Sequence, residues 1–163
     1  MVSITQMKKY TPAKIKKRTI KTVRSTALVN ANYNIDERGP HQLAMFKVIA
    51  TTIPRKVIFK IYGDSKGSKT IFQRPTWVHC SCEWFTFFCE YALAKRKSSD
   101  IINSNGQAPK EKNPRMWPYI CKHVIAASDR LTAIRFKAPR VQLPSEDELE
   151  FILREVDKYI PTK

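Results

Sequence analysis

The sequence predicts an α+β fold in which a small antiparallel sheet is followed by helices. Apolar residues alternate with other residues over much of the stretch 42–62, which is the two-residue period of a β-strand. Apolar side chains then recur at helical spacing over residues 84–91. Two short pairs of Cys and His residues flank this helical stretch, so they fall at junctions between the predicted elements.

Two runs of alternating apolar residues predict a β-hairpin. Phe46 and Val48 share one face of residues 42–53, and a similar alternation continues over residues 56–62. A short turn that contains proline separates the two runs, as in a hairpin. Residues 69–80 predict a further strand, interrupted by a proline, that leads into the first Cys pair.

A helix rich in aromatic residues is predicted over residues 83–97. One apolar stripe holds Trp84, Phe87, Phe88 and Tyr91, and a second holds Phe85, Cys89 and Ala92. A helix that is apolar on two sides is buried, so we assign these aromatics to the core; stacking on nucleic-acid bases is the alternative. Asn105-Gly106 and three prolines predict a loop over residues 98–118, and a helix follows from Lys122 to about Thr132.

The Cys and His pairs predict a metal site formed by Cys80, Cys82, Cys121 and His123. Three thiols and one imidazole are a usual donor set for structural zinc. Cys80 and Cys82 project to one side of an extended strand, while Cys121 and His123 precede an apolar helical run. Because four protein donors leave no open position for water, we expect a structural Zn²⁺ and no catalytic residues.

The remaining Cys and His residues have simpler interpretations. Cys89 lies among aromatic side chains and is assigned to core packing, with a role as a substitute ligand left open. His79 alternates with the two thiols and should point away from the metal, and His41 follows Gly39-Pro40 as a turn residue. Disulfides compete with metal binding, but the short spacings and an N-terminus without a secretory signal favour metal ligation in a reducing compartment.

The order Cys80-x-Cys82 followed by Cys121-x-His123 resembles the signature of the SWIM zinc finger. This resemblance implies a β-β-α core around the zinc. The segment between the pairs is long for that family and contains Cys89. The aromatic helix, the sequence Ser-Asn-Gly, the Pro-rich loop and the sequence Cys-Lys-His are most similar to SWIM-containing proteins encoded by tailed phages, which implies a phage protein.

The charge is unevenly distributed along the chain. The net charge is +16, and the first 34 residues contain eight basic residues and no acidic one. We expect an extended basic arm (residues 1–24), with a helix from Pro12 in the bound state as the alternative, a SWIM-like zinc-binding domain (residues 25–134), and a linker with a C-terminal amphipathic helix (residues 135–163). The arm residues expected to contact nucleic acid are Lys8, Lys9, Lys14, Lys16, Lys17, Arg18, Lys21 and Arg24.

Two functions agree with these features. The first is a non-enzymatic zinc-binding protein whose basic arm contacts nucleic acid, DNA rather than RNA, or an acidic protein surface. The second is an assembly component of a phage virion, in which the arm and the C-terminal helix bind neighbouring chains or a second copy. We expect an intracellular location; for a phage protein this means the host cytoplasm and then the virion. We expect neither a membrane nor a small-molecule substrate as partner.

Overall fold

The computed structural model of the chain describes residues 1–18, 24–50, 53–63, 70–111 and 113–131. In chain order the helices and strands are α1 (Ile4–Tyr10), α2 (Ala13–Arg18), β1 (Arg24–Asp36), β2 (Gly39–Ile49), β3 (Pro54–Tyr62), β4 (Thr76–Cys80), α3 (Glu83–Phe85), a π-helical turn (Thr86–Glu90), α4 (Tyr91–Ala94) and α5 (Lys122–Leu131). The predicted α+β class is confirmed. The predicted C-terminal helix lies outside the described residues.

The four strands form one antiparallel sheet in the order β1-β2-β3-β4. The predicted hairpin is confirmed as β2 and β3, in which Phe46 pairs with Val57. Val57 in turn pairs with Cys80 of β4, so these three side chains share one face of the sheet. All three are nearly or fully inaccessible to solvent. Helix α5 contacts all four strands, and its buried Val124 and Ala127 belong to the same core as this sheet face.

The prediction of a strand over residues 69–72 is wrong for the part that the structure describes. Ile71–Gln73 form a short 3-10 helix, and the strand begins only after Pro75, at Thr76. His41, predicted to lie in a turn, is instead a buried residue of β2, where it pairs with Asn34 and Tyr62.

The extended arm predicted for residues 1–24 is also wrong for most of its length. In residues 1–18, named here the N-terminal segment, Ser3 caps α1 through a capping box with Gln6. Ile4 and Met7 are fully buried in the core, and Ile15 of α2 is 8% exposed. The segment is therefore an integral part of the fold, although it carries six of the eight basic residues that suggested an arm.

The N-terminal segment also covers the edge of the sheet that β4 forms. Thr76 of β4 donates its backbone N–H to the carbonyl of Val2 at 3.1 Å, and Ser3 forms an isolated bridge with Pro75. Val78 donates to the carbonyl of Ser98 at 2.8 Å, so the loop after the helices shields the rest of this edge. An edge strand covered in this way is protected from pairing with another chain.

Residues 83–94, named here the aromatic helix, are helical but bury only one of the two predicted apolar stripes. Phe85 and Cys89 are fully buried, whereas Phe87 is 63% exposed. Trp84 stacks on Phe88, with ring centroids 4.5 Å apart, and both rings are half-buried. The assignment of the first stripe to the core is therefore wrong for Phe87.

The other predictions for this part of the chain mostly hold. The helix ends at Ala94 rather than at residue 97, and it contains a π-helical turn. The loop predicted over residues 98–118 is confirmed, since the described part of it contains no helix or strand. No helix among the described residues is long and apolar enough to cross a membrane.

Candidate metal centre

The end of β4 and the start of α3 position the first Cys pair. Cys80 is the last residue of β4, and Cys82 caps α3 with an extended backbone. The Sγ atom of Cys82 accepts a hydrogen bond from the backbone N–H of Phe85 at 3.3 Å. Ser81, between the two thiols, donates its N–H to the carbonyl of Lys56 at 3.0 Å. These bonds hold both thiols on the buried side of the chain.

The second pair lies where the long loop enters α5. Cys121 directly precedes α5, and its backbone carbonyl accepts a hydrogen bond from the N–H of Ile125 at 3.0 Å. His123 is the second residue of the helix. One residue earlier, the N–H of Ile120 donates to Oγ1 of Thr11 at 3.0 Å. The loop before it is held by buried Asn113, whose amide nitrogen donates to the carbonyls of Phe88 and Trp117.

The fold brings all four predicted ligands together. One potential donor atom from each of Cys80, Cys82, Cys121 and His123 lies within 4.8 Å of the others, and all four residues are buried. Donors of a tetrahedral site with metal–sulfur bonds of about 2.3 Å lie about 3.8 Å apart. A metal ion therefore fits this cluster with only small movements of the side chains. We name these four residues the metal cluster.

The thiols of the metal cluster interact strongly with one another. Hydrogen bonds from Cys121 and from Cys80 lower the pKa of Cys82. Burial raises the pKa of Cys121, and its hydrogen bonds to the other two sulfurs raise it further. For Cys80 the hydrogen bond to Cys121 acts to lower the pKa, but the bond to Cys82 together with burial raises it. A dication would compensate the charge of three thiolates that otherwise share protons.

The imidazole of His123 has an unpaired ring nitrogen. Its Nδ1 atom is buried and has no hydrogen-bond partner among the described residues. A buried, unpaired polar atom is costly. Coordination through Nδ1 would give this atom a partner, whereas coordination through Nε2 would leave it unpaired. The residues present therefore fit a metal ion, although they do not by themselves identify it.

Cys89 lies outside the metal cluster, as its assignment to core packing expected. It is fully buried, and burial raises its pKa well above the ordinary value, with the nearby sulfurs of Cys121 and Cys82 adding to the shift. Burial therefore disfavours the charged form of this thiol. What separates it from the metal cluster is position, since its sulfur is not among the four donor atoms that converge.

A buried pair behind the metal cluster was missed by the sequence analysis. Glu90 is fully buried and accepts the backbone N–H groups of Asn103 and Ser104, the latter at 2.7 Å. Its Oε1 lies 4.0 Å from Nδ1 of His79, whose pKa burial lowers. Glu90 therefore fixes the loop against the aromatic helix. The only signal in the sequence was an isolated acid within an apolar helical stretch.

The predicted basic contacts do not all face solvent. Lys8 forms an ion pair with Asp129 at 2.7 Å and lies over the ring of Phe72. Four others are exposed on α1 and α2: Lys9, Lys14, Lys16 and Lys17. Lys21 and the side chains of Arg18 and Arg24 lie outside what the structure describes. Helix α2 contacts α5, the helix that carries His123.

Comparison of the chain with protein-family models, with curated proteins and with solved structures gave no match.

Proposed function

We propose that the chain is a non-enzymatic zinc-binding protein of the SWIM type. The observation that carries this proposal is the buried metal cluster, in which three sulfurs and one imidazole converge from two separate pairs. Thiolate-rich donor sets favour soft or borderline metals such as Zn²⁺ over Mg²⁺ or Ca²⁺. Because all four donors come from the protein, the coordination sphere is complete, as in structural sites.

In this proposal zinc connects the sheet to α5. Cys80 and Cys82 belong to the junction between β4 and α3, and Cys121 and His123 belong to the start of α5. The order Cys-x-Cys and Cys-x-His, with a strand before the first pair and a helix at the second, supports the SWIM assignment. The proposed role is structural, with the metal contributing on the order of 10 kcal/mol to folding.

The proposal further assigns nucleic acid, with DNA preferred to RNA, as the partner of the basic N-terminal segment. Lys9, Lys14, Lys16 and Lys17 are exposed, and the first 34 residues contain no acid. A net charge of +16 attracts a polyanion and raises its rate of association. Because α1 and α2 are anchored in the core, these lysines belong to a rigid surface, which reduces the entropy lost on binding.

The test replaces charge without removing the buried part of the segment. Deletion of residues 1–24 would also remove Ile4 and Met7 from the core, so it would not isolate the charge. The variant is K9Q/K14Q/K16Q/K17Q, and its matched control K47Q/K56Q/K97Q/K110Q removes four exposed lysines elsewhere. DNA binding is measured by fluorescence anisotropy at two salt concentrations.

We expect the first variant to weaken binding and to lower the slope of log affinity against log salt by about 3 to 4, since each phosphate contact contributes about 0.9. The control should lower the slope by less. Equal losses in both variants would mean that the N-terminal segment has no specific role. Absence of binding in the unmodified protein at low salt would remove nucleic acid as the partner.

The second candidate function is assembly with other protein chains, as in a phage-encoded virion component. It is favoured by large exposed apolar side chains, with Phe87 63%, Ile101 42% and Ile102 51% exposed. All three belong to the aromatic helix or to the loop that follows it. Light scattering of the unmodified chain and of F87S tests this function. A dimer or larger species that dissociates in F87S supports assembly, and a monomer at all concentrations excludes self-assembly through this surface.

A further inference from the structure

A cleft of about 330 Å³ lies between α1 and the loop before Cys121. Its walls include Gln6 and Tyr10 of α1, Arg96 after the aromatic helix, and Arg115 and Trp117 of the loop. None of these residues belongs to the metal cluster. The cleft volume is at the lower end of the range found for small-ligand sites.

One wall of the cleft is aromatic. The rings of Tyr10 and Trp117 have centroids 4.6 Å apart and are tilted by 41°. Tyr10 is 38% exposed and Trp117 is half-buried, so both rings keep surface available to a ligand. Each ring therefore offers apolar surface on which a planar group can stack.

The position of Trp117 is fixed by the backbone. Its N–H donates to Oδ1 of Asn113 at 3.0 Å, and its carbonyl accepts from Nδ2 of the same residue at 2.8 Å. Met116, directly before it, has a φ of 48°, a left-handed conformation that is rare for a residue other than glycine. Asn113 is 2% exposed, so the surrounding core holds this bend in place. The aromatic wall is therefore formed before any ligand binds.

The other wall is cationic. Arg96 donates through one guanidinium nitrogen to the carbonyl of Ala92 at 2.7 Å, which holds its stem against the aromatic helix. Within the described part of the chain, neither Arg96 nor Arg115 forms an ion pair with a carboxylate. Two like charges beside one cleft repel each other, and a bound anion removes that repulsion. Guanidinium groups are well suited to phosphate oxygens because they donate parallel hydrogen bonds.

We propose that this cleft binds one nucleotide of a single-stranded nucleic acid. The base stacks on the Tyr10–Trp117 wall, and the phosphate accepts hydrogen bonds from Arg96 and Arg115. Single-stranded nucleic acids are bound in this manner, with aromatic surfaces for the bases and cations for the backbone. A base within a duplex does not offer its face, so the cleft distinguishes single strands from double strands.

The proposal deepens the proposed function, because it rests on nucleic acid being the partner. Tyr10, which lines the cleft, is the last residue of α1 and directly follows exposed Lys9 in the chain. The lysines of α2 come next in the chain, at positions 14, 16 and 17. A strand whose base occupies the cleft therefore has cations available for its neighbouring phosphates.

The experiment measures the affinity of the full chain for a fluorescein-labelled oligothymidylate and for a duplex of the same length. We compare Y10L and R96Q/R115Q with K97Q/K110Q, which removes the same number of charges outside the cleft. Y10L should weaken single-strand binding about tenfold, the size expected for loss of one stacked base, and leave duplex binding nearly unchanged. R96Q/R115Q should weaken single-strand binding by more than the control does.

Folding is checked separately in each variant by circular dichroism and zinc content. A further variant, R96K/R115K, keeps both positive charges but lacks the planar guanidinium donors. If Y10L and R96Q/R115Q fold and bind the oligothymidylate as the unmodified chain does, the cleft proposal is overturned while the proposed function stands. If the unmodified chain binds neither probe, both are overturned. Equal losses for single strand and duplex would mean that the cleft does not recognise an unpaired base, and would also overturn the proposal.

Discussion

The hydrogen bond from the N–H of Ile120 to Oγ1 of Thr11 joins the N-terminal segment to the metal cluster. The two atoms lie 3.0 Å apart, and both residues are buried. The same hydroxyl donates to the carbonyl of Met7 at 2.8 Å, so it bridges the end of α1 and the residue before Cys121. The position of the second ligand pair therefore depends on a segment far away in the sequence.

We predict that Thr11→Val lowers the free energy of unfolding by about 1 to 3 kcal/mol, because it leaves the buried Ile120 N–H without an acceptor. Urea denaturation measures this change, and competition with a chelating dye measures the zinc affinity, which should fall as well. Thr5→Val is the matched control, since the exposed Thr5 hydroxyl donates only to the carbonyl of Phe72. Equal stabilities of the two variants would contradict a coupling of the segment to the metal cluster.

We next predict opposite outcomes for two kinds of cysteine substitution. Cys80→Ser and Cys121→Ser should each lose the proposed zinc and the cooperative unfolding transition, because ligation of such a metal contributes on the order of 10 kcal/mol. Cys89→Ala should keep a full equivalent of zinc and lose only about 1 to 2 kcal/mol of stability through the small cavity it leaves. Elemental analysis and thermal denaturation make the comparison. Loss of zinc in Cys89→Ala would show that Cys89 takes part in ligation.

The metal cluster could be predicted from the sequence because the members of each pair are close neighbours in the chain. Cys80 and Cys82 need only one residue between them to converge, and so do Cys121 and His123. The strand–turn and loop–helix positions of the pairs followed from local periodicity alone. The sequence does not give the distance in space between the two pairs. The core that packs between β4 and α5 sets this distance.

The N-terminal segment was mispredicted because its charge outweighed a weaker local signal. Ser3 and Gln6 have the spacing of a capping box, which marks a helix start, and Ile4 and Met7 lie on one helical face. The exposure of Phe87 had no comparable signal. It depends on which side of the aromatic helix meets the sheet and on the π-helical turn, which changes the angular spacing of successive side chains.

Asp36 and Tyr62 form a hydrogen-bonded pair with a defined pH range. Burial and the hydrogen bond that its hydroxyl donates to Asp36 at 2.9 Å together raise the pKa of Tyr62 to about 12. Burial opposes ionisation of Asp36, but hydrogen bonds from Lys60, from the backbone of Arg38 and from Tyr62 lower its pKa to about 2. The raised pKa stabilises the fold below about pH 10, and the lowered pKa stabilises it above about pH 4.

We therefore predict that Tyr62→Phe lowers the free energy of unfolding by about 1 to 2 kcal/mol at pH 7. The difference from the unmodified chain should shrink as the pH rises from about 10 to about 12, because the unfolded chain gains by ionising this tyrosine before the folded chain does. Urea denaturation across this range gives the measurement, and Tyr10→Phe, at an exposed ring, is the control. If the difference in unfolding free energy does not change with pH, the Tyr62 hydroxyl does not donate a hydrogen bond to an ionised Asp36.

Glu90 provides the last prediction, because its buried carboxylate is the anchor of the loop after the aromatic helix. Glu90→Gln exchanges a charged acceptor of the Asn103 and Ser104 N–H groups for a neutral amide, one end of which is a donor. We expect a loss of about 1 to 3 kcal/mol and faster amide hydrogen exchange at residues 103 and 104, while the zinc content stays complete. Glu83→Gln, at an exposed acid of the same helix, should change neither quantity. Unchanged exchange at both amides in Glu90→Gln would mean that other contacts, such as those of Asn113 with Phe88 and Trp117, suffice to hold the loop.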